Sequence, residues 1–136
     1  PDLILASYHG IPKTYFDKGD PYQCYCQKTS RLMSENYDSL KIMTSFQSRF
    51  GPQEWLQPYT DKTLESLPNE GIKNLLVICP GFSSDCVETL EEISIQGKES
   101  FLKAGGLNFD TVPCLNDNPD HIELFNHLVK KYIIKN

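Results

Sequence analysis

The sequence predicts an α/β domain: a four-stranded parallel sheet with helices on both faces. Three observations predict it. Four short apolar runs alternate with longer stretches of helical spacing. Gly and Pro punctuate nearly every junction. The resulting order, βαβαβαβα, is the signature of parallel crossovers, and right-handed crossovers leave few topologies.

The first strand is expected over Leu3 to Tyr8, ending at His9-Gly10. Asp20 and Pro21 open a helix as cap and first residue, and its apolar residues thin out near Leu40. A second strand runs from Lys41 to Phe46 and empties into a long loop rich in Gly, Pro and aromatics. Thr60 or Asp61 caps a helix ending near Gly71. Leu75 to Cys79 reads as the third strand, stopped by Pro80-Gly81. Asp85 to Ala104 has Val87, Leu90, Ile93, Phe101 and Leu102 near helical spacing, with Gly105-Gly106 closing it. Phe109 to Cys114 is the fourth strand. Asn118-Pro119 starts a last helix, where Lys130, Lys131 and Lys135 suit the negative pole.

Composition narrows the function. The chain has 136 residues, 39% of them apolar and 23% charged, enough for one domain with a core. A net charge of −5 argues against a nucleic-acid surface. No apolar run approaches the roughly 20 residues of a membrane span, and no signal peptide is recognisable. A cytoplasmic chain is expected. Five cysteines, Cys24, Cys26, Cys79, Cys86 and Cys114, read as reduced thiols. Cys24 and Cys26 sit two apart on a helix and point away from each other, so they do not chelate one ion. His121 and His127, on the last helix, read as surface residues. The start at Pro1, two residues before a strand, predicts a piece of a longer protein.

In open α/β sheets, ligands bind beyond the carboxyl ends of the strands where the winding reverses. With strand order 2-1-3-4, that reversal brings His9 and Glu88 face to face. His9 follows a buried strand, and an imidazole there can ligate a divalent metal or accept a proton. Against this stands an ordinary turn histidine. Glu88 stands three residues after Asp85, so a capping box is its plainer role. Glu88, Glu91 and Glu92 share one face of a regular helix, either a solvated stripe or a conduit for cations and protons. Phe50, Trp55 and Tyr59 on the long loop suit a flat apolar ligand, although Trp55 can equally staple the loop to the sheet.

Four segments, SYHGIPKTYFDKGDPY, TSFQSRFGPQEWLQPYTDKTLESLP, VICPGFSSDCVETLEEI and PCLNDNPDHIELFNHLV, resemble the C-terminal half of bacterial ferrochelatases. The resemblance implies a Rossmann-like, chelatase-type domain spanning 1–136, with the porphyrin held between it and an N-terminal domain absent from this chain. It implies insertion of ferrous iron into protoporphyrin IX, with iron as substrate and no organic cofactor. The family's histidine falls on His9 and its glutamate on Glu88, both at the iron site. Trp55, Phe82 and Ser84 would line the porphyrin pocket, with Asp85 leading into the helix, and Glu91 and Glu92 would relay protons or metal. The family's helix is locally widened, so an irregularity near Glu88 is expected. Some members hold an iron–sulfur cluster on cysteines near the C-terminus; nothing after Cys114 is a cysteine, so no such cluster is expected. The resemblance leaves a peripheral membrane contact open. The competing readings are another tetrapyrrole chelatase, for a coproporphyrin or precorrin-type ring, and a non-catalytic porphyrin- or haem-binding module.

Overall fold

The structure, a computed structural model, describes residues 1–37 and 39–133. Its centre is a four-stranded parallel sheet in the order β2-β1-β3-β4, formed by β1 (Leu3–His9), β2 (Ile42–Gln47), β3 (Asn74–Ile78) and β4 (Asn108–Thr111). Both the parallel pairing and the strand order match the sequence expectation. The reversal of winding lies between β1 and β3.

Alternation along β1 splits the core in two. Leu3 and Leu5 face one layer with Leu64, Val77, Ile93 and Phe101, while Ala6 and Tyr8 face Cys26, Phe46 and Leu56 on the other. Helices therefore cover both faces. On the first lie α3 (Thr60–Ser66), continued by a 3₁₀ turn Leu67–Glu70, and the helix carrying Glu88. On the second lies α2 (Tyr22–Ser34).

Several boundaries differ from those read in the sequence. A one-turn helix, α1 (Lys13–Asp17), precedes α2 and is closed by Gly19 at φ +95°. The expected helix out to Leu40 is α2, which stops at Ser34. There Asn36 turns the chain back, its Nδ2 donating to the Leu32 carbonyl at 3.1 Å. The helix starts one residue later than read, with Pro21 rather than Asp20 at its N-cap, and Asp20 supports it from one position further out, its Oδ1 accepting from the Tyr22 N–H at 2.8 Å. The fourth strand ends at Thr111 rather than Cys114, because Pro113 has no N–H for a ladder. Cys79 lies just past β3 and is buried, and Cys114 is half-buried in a loop. Cys24 is exposed and Cys26 buried, so the two thiols do point apart.

The largest departure concerns residues 87–103. They form α4 (Val87–Thr89), a π-helical segment (Leu90–Gly97) and α5 (Lys98–Lys103). The irregularity expected near Glu88 is thus a run of widened turns immediately after it. Widening changes the phase: Thr89, Ile93, Gly97 and Phe101 are buried at intervals of four, whereas Val87 is 72% exposed and Leu90 52%. Those two residues do not belong to the buried stripe that a regular helical repeat assigned them.

The last helix, α6 (Pro119–Ile133), begins as expected at Pro119, with Asn118 Oδ1 accepting the Asp120 N–H at 2.9 Å. Lys130 and Lys131 occupy its last turn, while Lys135 lies outside the described residues. His121 is buried rather than at the surface, because its Nδ1–H donates to the Asn116 carbonyl at 2.8 Å. His127 is exposed as expected. Among the described residues, no helix is long and apolar enough to cross a membrane.

Candidate active site

His9 closes β1 and is half-buried. Its Nδ1 lies 2.7 Å from the Gly10 carbonyl oxygen. A carbonyl only accepts, so Nδ1 carries the proton, and in the neutral ring Nε2 keeps its lone pair for a metal or a proton. Tyr22 Oη donates to the His9 carbonyl at 2.8 Å and fixes the main chain beneath the ring. Trp55 and Phe82 flank the imidazole, with ring centroids at 6.5 Å and 6.3 Å. Glycine follows because a Cβ on Gly10 would stand 3.0 Å from the Gln47 carbonyl oxygen and 3.1 Å from the Trp55 ring.

Trp55 is 6% exposed and its Nε1 donates to the Phe50 carbonyl at 3.0 Å. It pairs with Pro12 in an isolated bridge, next to a bond from the Leu56 N–H to the Ile11 carbonyl at 3.0 Å. Trp55 therefore staples the long loop to the chain leaving β1. Phe50, 5.2 Å from it centroid to centroid, is the ring turned outward, at 76% exposure.

Glu88 is not the residue that closes the capping box. The cap is one residue later than the sequence suggested: the Cys86 N–H donates to Thr89 Oγ1 at 3.0 Å, and the Cys86 side chain receives the Thr89 amide. Asp85 instead accepts from Thr89 Oγ1 at 3.1 Å and from Asn116 Nδ2 at 2.8 Å. Glu88 is thereby left half-buried at the rim with its carboxylate uncommitted to capping. A hydrogen bond from the Cys86 thiol, its own N–H and the charge of His9 hold that carboxyl below the usual range.

Glu92, one widened turn on, is clasped by Ser48. The Ser48 N–H donates to Oε1 at 2.7 Å and its Oγ to Oε2 at 2.5 Å. Ser48 adopts φ 63°, a left-handed conformation that aims both donors at one carboxylate. Glu91 is exposed and accepts from Gln96 Nε2 at 3.1 Å, so it does not share the Glu88–Glu92 face that a regular helix would give it. Phe82 is half-buried, packed on the core and on His9, and Ser84 is exposed.

The main chain of Glu88 is tied to the lip at the end of the sheet that carries His9. His9 and Gln47 are partners in the β1–β2 ladder, and Gln47 Nε2 donates to the Glu88 carbonyl at 2.7 Å. Gln47, Ser48, Cys86 and Thr89 were not singled out by the sequence for any role. The only available signal was that Gln47-Ser48 follows a strand at the binding end.

Two cavities flank this lip. One, of about 240 Å³, lies between Asp61, Glu92 and Gln96; the other, of about 210 Å³, between Cys79, Ser94 and Thr111. Neither is lined by His9 or Glu88. Among the described residues, no group of three or more His, Cys, Asp or Glu side chains gathers closely enough to hold a metal. The site is a pair of donors on an open rim.

The four-stranded parallel sheet with its winding reversed between β1 and β3 is a fold met in solved structures. The chain superposes on the crystal structure of a putative cobalamin (vitamin B12) biosynthesis CbiX protein from Marinobacter aquaeolei VT8 with a TM-score of 0.66. At 13% identity over 100% of both chains, that likeness concerns the fold. The family follows from the sequence: the Ferrochelatase family model matches residues 1–133, and this chain belongs to the ferrochelatase family. It is 57% identical over 133 residues to the ferrochelatase of Rhizobium meliloti strain 1021, covering 96% of this chain and 39% of the relative. It is 59% identical over 130 residues to that of Vibrio vulnificus strain CMCP6, covering 94% of this chain and 41% of the relative. The chain thus spans about two-fifths of the length of the curated relatives it matches.

Proposed function

We propose that the full-length protein inserts ferrous iron into protoporphyrin IX to make protohaem, with His9 and Glu88 handling the metal and the displaced protons. The observation that carries this reading is that Gln47, the ladder partner of His9, holds the main chain of Glu88 at the same end of the sheet. The two donors lie on an open lip, which suits a flat ring closed over from the far side by the protein's remaining domain.

Metallation exchanges one divalent ion for two pyrrole protons, so the site must deliver a cation and remove protons. A carboxyl held below its usual range is an anion at neutral pH and a weak base. We assign the ferrous ion to Glu88, the anionic member of the pair, and the two pyrrole protons to the His9 Nε2 lone pair, which takes them up one at a time and passes each on. Glu92, and Glu91 from its own exposed face of the helix, relay the displaced protons outward or the ion inward. Phe82 and Trp55 neighbour the imidazole and Phe50 stacks out from Trp55, so these rings, with the exposed Ser84, would line the porphyrin pocket. Holding the macrocycle off planarity exposes its nitrogen lone pairs, a strain drawn from binding the rest of the ring. Iron is a substrate here, and the scheme requires no organic cofactor. We place the reaction in the cytoplasm.

The test is anaerobic metallation of protoporphyrin by the full-length protein, followed by absorbance. His9→Ala is expected to retain its fold and lose kcat by on the order of 100-fold or more. Wild-type turnover in that variant would sink the reading. A mere porphyrin binder would shift the spectrum without turnover.

A further inference from the structure

Gln47 is the last residue of β2 and the ladder partner of His9. It is 2% exposed, and both ends of its amide are used. Oε1 accepts from Ser7 Oγ at 2.7 Å and from Cys79 Sγ at 3.6 Å. Nε2 donates to the Glu88 carbonyl at 2.7 Å and lies 3.3 Å from Glu92 Oε2. A buried amide persists where its donors and acceptors are met. This one is met from three places: the strand that carries His9, the residue after β3, and the helix that carries Glu88.

We propose that Gln47 is a positioning residue for iron insertion, setting the height of Glu88 above the sheet relative to His9. The proposal rests on the reading of Glu88 given above. The main-chain carbonyl of Glu88 is next to the Cα from which its side chain departs, so anchoring that oxygen fixes where the carboxylate starts. The following turn is held separately, by the Ser48 clasp on Glu92. Two consecutive residues of the β2 end thus pin two successive turns of a widened helix. A misplacement of about 1 Å in a reacting group can cost on the order of 100-fold in rate.

In the full-length protein, Gln47→Leu removes both ends of the bridge. Its kcat for porphyrin metallation is expected to fall by on the order of 100-fold, with KM for the porphyrin unchanged. Gln47→Glu is the discriminating variant. Ionised, its carboxylate only accepts, and it confronts the Glu88 carbonyl and the Glu92 carboxylate. Protonated, its hydroxyl stands where the amide donor stood. The titratable and charged groups around position 47 include Glu88 and Glu92 on the helix, Cys79 after β3, His9 on β1, and the Arg49–Asp61 pair beside the neighbouring cavity. The ratio of Gln47→Glu kcat to wild-type kcat is therefore expected to climb as pH falls, while the Gln47→Leu ratio stays flat. A packing role alone would not produce that recovery.

Wild-type kcat in Gln47→Leu, or a flat ratio in Gln47→Glu, overturns the proposal. If Gln47→Leu does not fold, the Gln47→Glu ratio decides by itself. Glu88→Gln, assayed alongside, separates two failures. If it turns over at the wild-type rate, the reading of Glu88 falls and this proposal with it. If it is inactive while Gln47→Leu is normal, only the role of Gln47 falls.

Discussion

Asp85 and Asn116 bind each other twice: the Asp85 N–H donates to Asn116 Oδ1 at 2.8 Å, and Asn116 Nδ2 returns a bond to Asp85 Oδ2 at 2.8 Å. Asn116 holds φ 49°, a left-handed conformation that Asn tolerates better than most residues. Its N–H donates to the Ser83 carbonyl, and its own carbonyl accepts from His121. The loop after β4 is thereby tied to the start of the helix that carries Glu88.

The pH dependence of stability reports this knot. The Asn116 amide, with Cys114 and Thr89, holds the Asp85 carboxyl below its usual range. A carboxyl with a depressed folded-state value contributes stability above its unfolded value, and that contribution is lost as pH falls through the folded one. The melting-temperature gap between wild type and Asp85→Asn should therefore be full at neutral pH and close below about pH 4. Thermal melts across that range measure it. A gap independent of pH would mean that the charge on Asp85 does nothing.

What the sequence disclosed and what it withheld divide along physical lines. Parallel pairing was legible because apolar runs between turn residues admit few topologies, whereas the order 2-1-3-4 was an assumption that the sheet bears out; His9 falls at the rim because a strand ending at His9-Gly10 leaves it nowhere else. The spacing of Glu88 from Asp85 pointed to a cap that the chain instead forms with Cys86 and Thr89. The widened turns re-phase residues 90–97, so a repeat of 3.6 misplaced Val87, Leu90 and Glu91. His121 looked like a surface residue because its partner is a loop carbonyl, which no helical pattern encodes. Gln47 reads as a polar residue leaving a strand; its burial arises only when the helix returns over it.

Gly106 is fixed by contact rather than by backbone conformation. A Cβ there would stand 2.1 Å from the ring of Phe101, a side chain with no exposed surface. Phe101 packs against Phe109 at 5.7 Å between centroids, and overpacking a core of this kind costs about 1–3 kcal/mol. Gly106→Ala should lower the urea midpoint accordingly with no change in the slope of the transition. An unchanged midpoint would mean that the Phe101 ring has room to yield.

Thiol reactivity should sort the cysteines by environment. Cys24 is exposed. Burial pushes the Cys79 thiol up to about 12 and raises Cys26 as well, and the thiolate is the reacting species. Iodoacetamide at mildly alkaline pH should alkylate Cys24 first and leave Cys79 unmodified until the protein unfolds. Peptide mapping by mass spectrometry reads the order, and early labelling of Cys79 would contradict its burial.

Ser48 combines a strained backbone with two bonds to one carboxylate, and the two can be separated by substitution. Ser48→Gly and Ser48→Ala both keep the N–H donor to Glu92 and lose the hydroxyl donor. A hydrogen bond to a charged group is worth about 1.5–3 kcal/mol, so both variants should be less stable than wild type. They differ in the backbone. At φ 63° a Cβ costs about 1–2 kcal/mol, which glycine avoids. Glycine loses about 0.5–1 kcal/mol of that advantage through its greater freedom in the unfolded chain. The difference, about 0–1.5 kcal/mol, puts Ser48→Gly above Ser48→Ala in stability, with wild type above both. Denaturant melts resolve such a gap, and the reverse order would show that the left-handed turn at Ser48 carries no strain for the clasp on Glu92 to offset.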